Sequence, residues 1–331
     1  MTNGTITKER SLLTLDSYVS RDLKENDKND YILWNKVGMY DNKKYAFATS
    51  FILVGLYIRK DLLSKAGMEP PKTWDDFVKV AKGLNSPTVY GYLFGGSPSQ
   101  LNQLDWLQLM IEGRGGKVLD DKGRAVFDSK PGIDTFKFIK ACVFDNKIVP
   151  NNAITLRYDD VTDLFASGRA GMILEGSHRY SKITSALKSE NVLITLIPGV
   201  DAENPSPSTI STWDLAIPKG SKSPEEAWEF IKFFTSNESQ FLYSKISGEI
   251  PTRKSAADDP YFKSSEGAML GWWIKYLNEK GTLAVNTDTF QELTECMAAA
   301  LQEVLKSSNS NVEEIVKNSV KRYNSIVSNN K

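Results

Sequence analysis

Tyr45 to Ile58 is an apolar-rich run, with the Asp41-Asn42 turn signal before it and charged Lys60-Asp61 after it. Such a run reads as a strand that passes into an extended crossing segment, and a crossing segment needs two compact parts to join. Chain length points the same way. Single hydrophobic cores stop growing at about 250 to 300 residues, so 331 residues fit two domains.

Composition narrows the chemistry. Hydrophobic residues make up 40% and charged residues 25%, the balance of a soluble globular chain. Lys plus Arg and Asp plus Glu both total 41, so no net field draws nucleic acid or an anionic membrane, and the expected partner is a small molecule. The two cysteines, Cys142 and Cys296, lie in helical patterns without the short spacing of a zinc or redox pair, and read as buried thiols. His178 is the single histidine, which leaves little material for metal sites or hydrolase triads. No catalytic residue, metal or cofactor is assigned. There is no run of about 18 apolar residues, nor a basic start followed by an apolar stretch, so the sequence carries neither a membrane-span pattern nor a signal-peptide pattern.

Local signals set the elements. Pro70-Pro71 ends one helix, and Thr73 with Asp76 opens the next, whose apolar stripe is Phe77, Val80, Ala81 and Leu84. Ser223-Pro224-Glu225-Glu226 supplies a cap, a first-turn proline and an N3 glutamate ahead of Ala227, Trp228, Ile231 and Phe234. Asn311 can cap a final helix whose Val312, Ile315, Val316, Val320, Tyr323 and Val327 share a face. Val192 to Ile197 and Leu215 to Ile217 read as short strands beside the Pro198-Gly199 and Pro218-Lys219-Gly220 turns. Alternating strands and helices give an α/β class. Gly113-Arg114-Gly115-Gly116-Lys117 lacks P-loop spacing and reads as a helix-ending turn.

Several separated segments, in order, resemble the family 1 extracellular solute-binding proteins of bacterial ABC sugar importers. Lys44-Tyr45-Ala46-Phe47-Ala48-Thr49-Ser50 and Leu56-Tyr57-Ile58-Arg59-Lys60-Asp61-Leu62-Leu63 are similar to that family's strand, crossing and following turn. Pro71-Lys72-Thr73-Trp74-Asp75 matches its most specific stretch. Phe165-Ala166-Ser167-Gly168-Arg169-Ala170-Gly171-Met172 and Glu175-Gly176-Ser177-His178 resemble the helix, glycine cap and strand leading to a ligand-facing aromatic, with histidine where tryptophan is usual. Ser211-Thr212-Trp213-Asp214 stands at the family's Gly-Gly-Trp strand without the glycines, and Ile250-Pro251-Thr252-Arg253 at its Pro-x-Arg turn.

The resemblance implies a two-lobed, type II periplasmic-binding-protein-like fold with a hinge between lobes. Residues 1–52 and 208–258 would form the first lobe, and 53–207 with 259–331 the second. Ser50 to Val54, Ala202 to Ser208 and Ala256 to Tyr261 would be the crossings. Family members open with a strand-helix-strand series and a signal peptide that have no counterpart before Met1, so the first lobe is expected to be incomplete.

Sugar recognition needs flat apolar faces and a few donors and acceptors. The resemblance implies Trp213 as a stacking platform from the first lobe. Asp105, Trp106, Glu175 and His178 are candidates from the second, and Thr49 and Ser50 lie at the first crossing. Arg253 is a candidate for a hydroxyl or phosphate oxygen. Trp272 and Trp273 are adjacent, so at most one of them can face a ligand. The expected partners are a carbohydrate or sugar phosphate, captured by a monomer in an interlobe cleft, and the membrane subunits of an ABC permease. The place would be outside the cytoplasm, in the periplasm or lipid-anchored at the cell surface. Two rivals are a truncated fragment that binds nothing and a glycoside hydrolase, which requires paired carboxylates about 5 to 10 Å apart.

Overall fold

The structure is a computed structural model that describes residues 11–98 and 103–329. In chain order, α1 (Asp16–Asp22) and α2 (Glu25–Asp30) precede a hairpin of β1 (Met39–Tyr40) and β2 (Lys43–Lys44), then the long β3 (Ala46–Arg59). Next come α3 (Lys60–Lys65), α4 (Trp74–Leu84), β4 (Tyr90–Leu93), α5 (Gln103–Glu112), α6 (Lys130–Phe144), α7 (Tyr158–Ala166) and β5 (Ala170–Gly176). They are followed by α8 (Tyr180–Leu187), β6 (Val192–Thr195), β7 (Ser208–Ala216), α9 (Pro224–Phe234), α10 (Asn237–Ser247) and α11 (Lys254–Ala257). The chain closes with α12 (Ala268–Lys280), β8 (Gly281–Leu283), α13 (Phe290–Val304) and α14 (Val312–Asn329).

Two compact units emerge. Unit 1 groups Met1–Leu53 with Ile210–Phe290, and unit 2 groups Val54–Thr209 with Gln291–Lys331. The chain therefore changes unit inside β3, near the start of β7 and at the start of α13. The stretch 259–290, expected in the second lobe, belongs to unit 1, and the third crossing falls after Phe290 instead of at Ala256 to Tyr261. The physical reason is that β8 extends the sheet beside β7, where Ala284 N–H donates to the Ile210 carbonyl at 3.1 Å.

Unit 1 is built on the first half of β3, which pairs antiparallel with β7 from Ala46↔Ala216 to Leu53↔Ile210. Its core gathers Leu15, Val19, Tyr31, Phe47, Ile217, Trp228 and Ile231. The rings meet edge to face, Phe47 lying 5.3 Å from Tyr31 and 5.5 Å from Trp228, the arrangement their quadrupoles favour. Asp41 and Asn42 both adopt positive φ, as a tight hairpin turn between twisted strands requires. Lys44 is buried, and its Nζ donates to the carbonyls of Trp34 and Val37 at 3.0 and 2.8 Å. Desolvation pulls its pKa down to about 8.

Ser223 precedes α9 as expected, with Pro224 in the first turn, but its side chain makes no capping bond. Trp228 and Ile231 are buried, whereas Phe230 and Phe233 on the far side of α9 are exposed.

Unit 2 pairs the second half of β3 antiparallel with β5 on one side and β6 on the other, and β4 lies parallel to β5. The α4 start is a reciprocal box: Thr73 Oγ1 accepts from Asp76 N–H at 3.1 Å, and Asp76 Oδ2 accepts from Thr73 N–H at 3.3 Å. Phe77, Val80, Ala81 and Leu84 are buried from it. The turn after α5 places Gly115 at φ +79, and Arg114 lies over the rings of Trp74 and Phe138, 4.7 and 4.9 Å from their centroids. Val312, Ile315, Val316, Val320 and Tyr323 of α14 are buried, and Val327 is half-buried. Cys142 and Cys296 are free and buried. No helix among the described residues is long and apolar enough to cross a membrane.

Candidate functional site

In unit 1 the candidates converge on one irregularity. The β3–β7 register shifts between Ala48 and Ser50, so Thr49 is an extra residue on β3 and Ser50 pairs with Trp213. Such bulges re-aim side chains. Thr49 is buried, and its hydroxyl donates to the Trp213 carbonyl at 3.0 Å, while its own carbonyl accepts from Gln240 Nε2 at 3.1 Å. Ser50 is fully buried, with a hydroxyl lacking a partner. Neither side chain is free to meet a solute. The Thr49 bond fixes the strand that carries Trp213, which is 63% exposed. A large flat apolar face held in water on a strand pinned from behind is a ready stacking surface.

Arg253 does not join it. Its Nε donates to the Thr235 carbonyl at 2.6 Å, one terminal nitrogen donates to Asp30 at 3.2 Å and the other to the Tyr31 hydroxyl at 2.8 Å, with the guanidinium 4.0 Å from the Tyr31 centroid. This buried cation is a rivet among α2, α9 and the α11 turn, which removes it from the solute contacts. Trp273 is buried too, stacked edge to face on half-buried Trp272 at 4.8 Å. Trp272 is thus the member of the pair that retains an accessible face.

In unit 2, Asp105 is half-buried in the first turn of α5, and half-buried Trp106 packs on Phe94 at 5.2 Å. Leu109 and Met110 are fully buried.

Glu175 departs from expectation. It is buried, with Oε1 accepting from Gly176 N–H at 2.7 Å and from the Tyr158 hydroxyl, and Oε2 accepting from the Thr162 hydroxyl at 2.5 Å. Burial raises its pKa to about 8, against the opposing backbone bond of Gly176 and the charges of Arg179 and Lys182. Both of its oxygens are bonded inside the protein and the carboxyl is buried, so it presents no face to a solute.

His178 sits two residues after the end of β5, in the 3-10 turn Ser177–Arg179, half-buried, its ring parallel to Tyr158 with centroids 6.2 Å apart and planes at 12°. Burial, then the Arg179 charge, lowers its pKa to about 4, so it is neutral at pH 7. Tyr158 and Thr162, which hold Glu175, were not legible in the sequence. They stand one turn apart on α7, and only the pairing of β5 with β3 shows which strand their face covers. No group of His, Cys, Asp and Glu among the described residues could hold a metal ion.

The profile of the bacterial extracellular solute-binding proteins matches residues 8–241, and the chain belongs to that family of binding proteins. Among its relatives is the galactooligosaccharide-binding protein of Bacillus subtilis, 23% identical over 273 residues, which cover 79% of this chain and 60% of that protein. The chain spans about three-fifths of the length of the first curated relatives it matches, 59%. Maltose-bound MalE3 of T. maritima superposes with a TM-score of 0.85 at 22% identity, covering 98% of this chain and 82% of that one. A solute-binding protein of Thermotoga lettingae bound to α-D-tagatose gives 0.86 at 22% identity and the same coverage. The fold is therefore the periplasmic-binding-protein-like α/β fold over nearly the whole chain.

Proposed function

We propose that this protein is the extracytoplasmic solute-capturing component of an ABC importer and that its solute is an uncharged sugar or polyol, delivered to the permease unchanged. The exposed indole of Trp213 carries the reading. Supporting it are the solutes of structural neighbours, which hold maltose, α-D-tagatose, D-mannitol and ribitol. An uncharged solute is favoured over a sugar phosphate because Arg253, the cation that would have read a phosphate, is spent on internal bonds. Trp272 in unit 1 and, separately, Trp106 and His178 in unit 2 are further proposed solute contacts.

The test is intrinsic tryptophan fluorescence titrated with maltose, galactooligosaccharides, D-tagatose, D-mannitol and ribitol. At least one should give a saturable change, and Trp213→Ala should weaken its Kd about tenfold, about 1.4 kcal/mol of stacking. An unchanged Kd in that variant would remove Trp213 from the site.

A further inference from the structure

At the end of β5 in unit 2 the His178 ring takes the space that a side chain on residue 176 would need. A Cβ on Gly176 would lie 2.6 Å from both Cε1 and Nδ1 of His178 and 3.0 Å from the Tyr158 hydroxyl. Nδ1 is buried without a hydrogen-bond partner, whereas Nε2 is not enclosed in that way. A neutral imidazole carries one proton. Buried N–H groups without acceptors are rarer than under-satisfied acceptors, so the proton belongs on Nε2 and the lone pair on Nδ1.

What holds the ring there is a chain of contacts ending on a buried carboxyl. The Tyr158 hydroxyl is bonded to Glu175 and accepts from Gly176 N–H at 3.3 Å, while the Gly176 carbonyl accepts from the Tyr57 hydroxyl at 3.1 Å. Thr162 steadies the second Glu175 oxygen. The Arg179 guanidinium lies 5.1 Å from the Tyr158 centroid and is tied to Asp159 at 2.5 Å, and Lys182 of α8 pairs with Asp163 of α7. The charged and titratable groups around the imidazole are thus Tyr57 on β3, Tyr158, Asp159 and Asp163 on α7, Glu175 on β5, and Arg179, Tyr180 and Lys182 after it.

Building on the solute-binding reading above, we propose that Tyr158, anchored by Glu175, is a positioning residue that fixes His178 as its Nε2-protonated neutral tautomer and so presents one preset N–H donor to a solute hydroxyl. Glu175 serves the site through Tyr158 and touches no solute.

Because the chain has one histidine, long-range ¹H–¹⁵N correlation spectra report on His178 without assignment. In the solute-free protein the Nε2-protonated pattern is expected at pH 7, with a titration midpoint well below 6.5. Tyr158→Phe keeps the stacked ring but loses the anchor, and should raise the midpoint by roughly one unit and mix the tautomers. Glu175→Gln, which retains an acceptor for the Tyr158 hydroxyl, should keep the wild-type tautomer and midpoint. A wild-type ring protonated on Nδ1, a midpoint near 6.5, or identical spectra in wild type and Tyr158→Phe would overturn the positioning role. These spectra need no solute, so a chain that bound no sugar would leave them standing. With maltose, D-tagatose or ribitol at saturation, whichever binds, Nε2 should shift; an unmoved Nε2 in a complex would remove the donor contact.

Discussion

Glu175 shows how far a single residue's role depends on what folds around it. As an acidic residue after a strand it could equally have faced a solute, and in the structure it is an interior carboxyl with three donors. Its pKa is raised from 4.5 to about 8. The stabilising contribution of the protonated form is therefore complete below pH 4.5 and is lost as pH rises through 8. The expected outcome is that Glu175→Gln gains on wild type by about 2 to 4 kcal/mol in unfolding free energy between pH 5 and pH 9, measured by urea denaturation at each pH. A constant gap across that range would mean the carboxyl is ionised in the fold. Arg253 was misread for a related reason: its sequence neighbours do not show that Thr235, Asp30 and Tyr31 converge on it from distant positions.

At the scale of elements, signals that are local were legible and those set by neighbours were not. The Thr73 box was readable because both of its bonds lie within four residues, and the same reasoning makes it testable. Thr73→Ala should cost about 1 kcal/mol in chemical unfolding, and a cost below experimental error would show that tertiary packing alone starts α4. In α9, by contrast, Trp228, Phe230, Phe233 and Phe234 are all apolar within two turns, and periodicity cannot say which ring faces inward. The structure buries Trp228 and leaves Phe230 and Phe233 outside. In α10 the polar Gln240 and Ser244 are buried, making bonds to Thr49, Phe234, Thr252 and Glu249 carbonyl or amide groups, while Leu242 and Ile246 face out. A pattern read from hydropathy alone would turn that helix around.

For the whole molecule, the ordered series of short matches carried the fold class, since each spans a place where the chain turns or crosses. The division into units was harder to place at its third crossing, because α12 and the three-residue β8 have no sequence mark naming the sheet they join. The strand that carries Trp213 was legible from its motif, but the bulge at Thr49 was not, since a register shift is a property of two strands together.

Reversible capture of a small uncharged solute without chemistry is the proposed function. Isothermal titration of the purified chain with the same sugars and polyols, followed by mass analysis of the recovered solute, tests it most directly. The account predicts one solute per chain, a saturable heat and a solute recovered intact. Cleaved sugar, or no heat from any member of the panel, would contradict it.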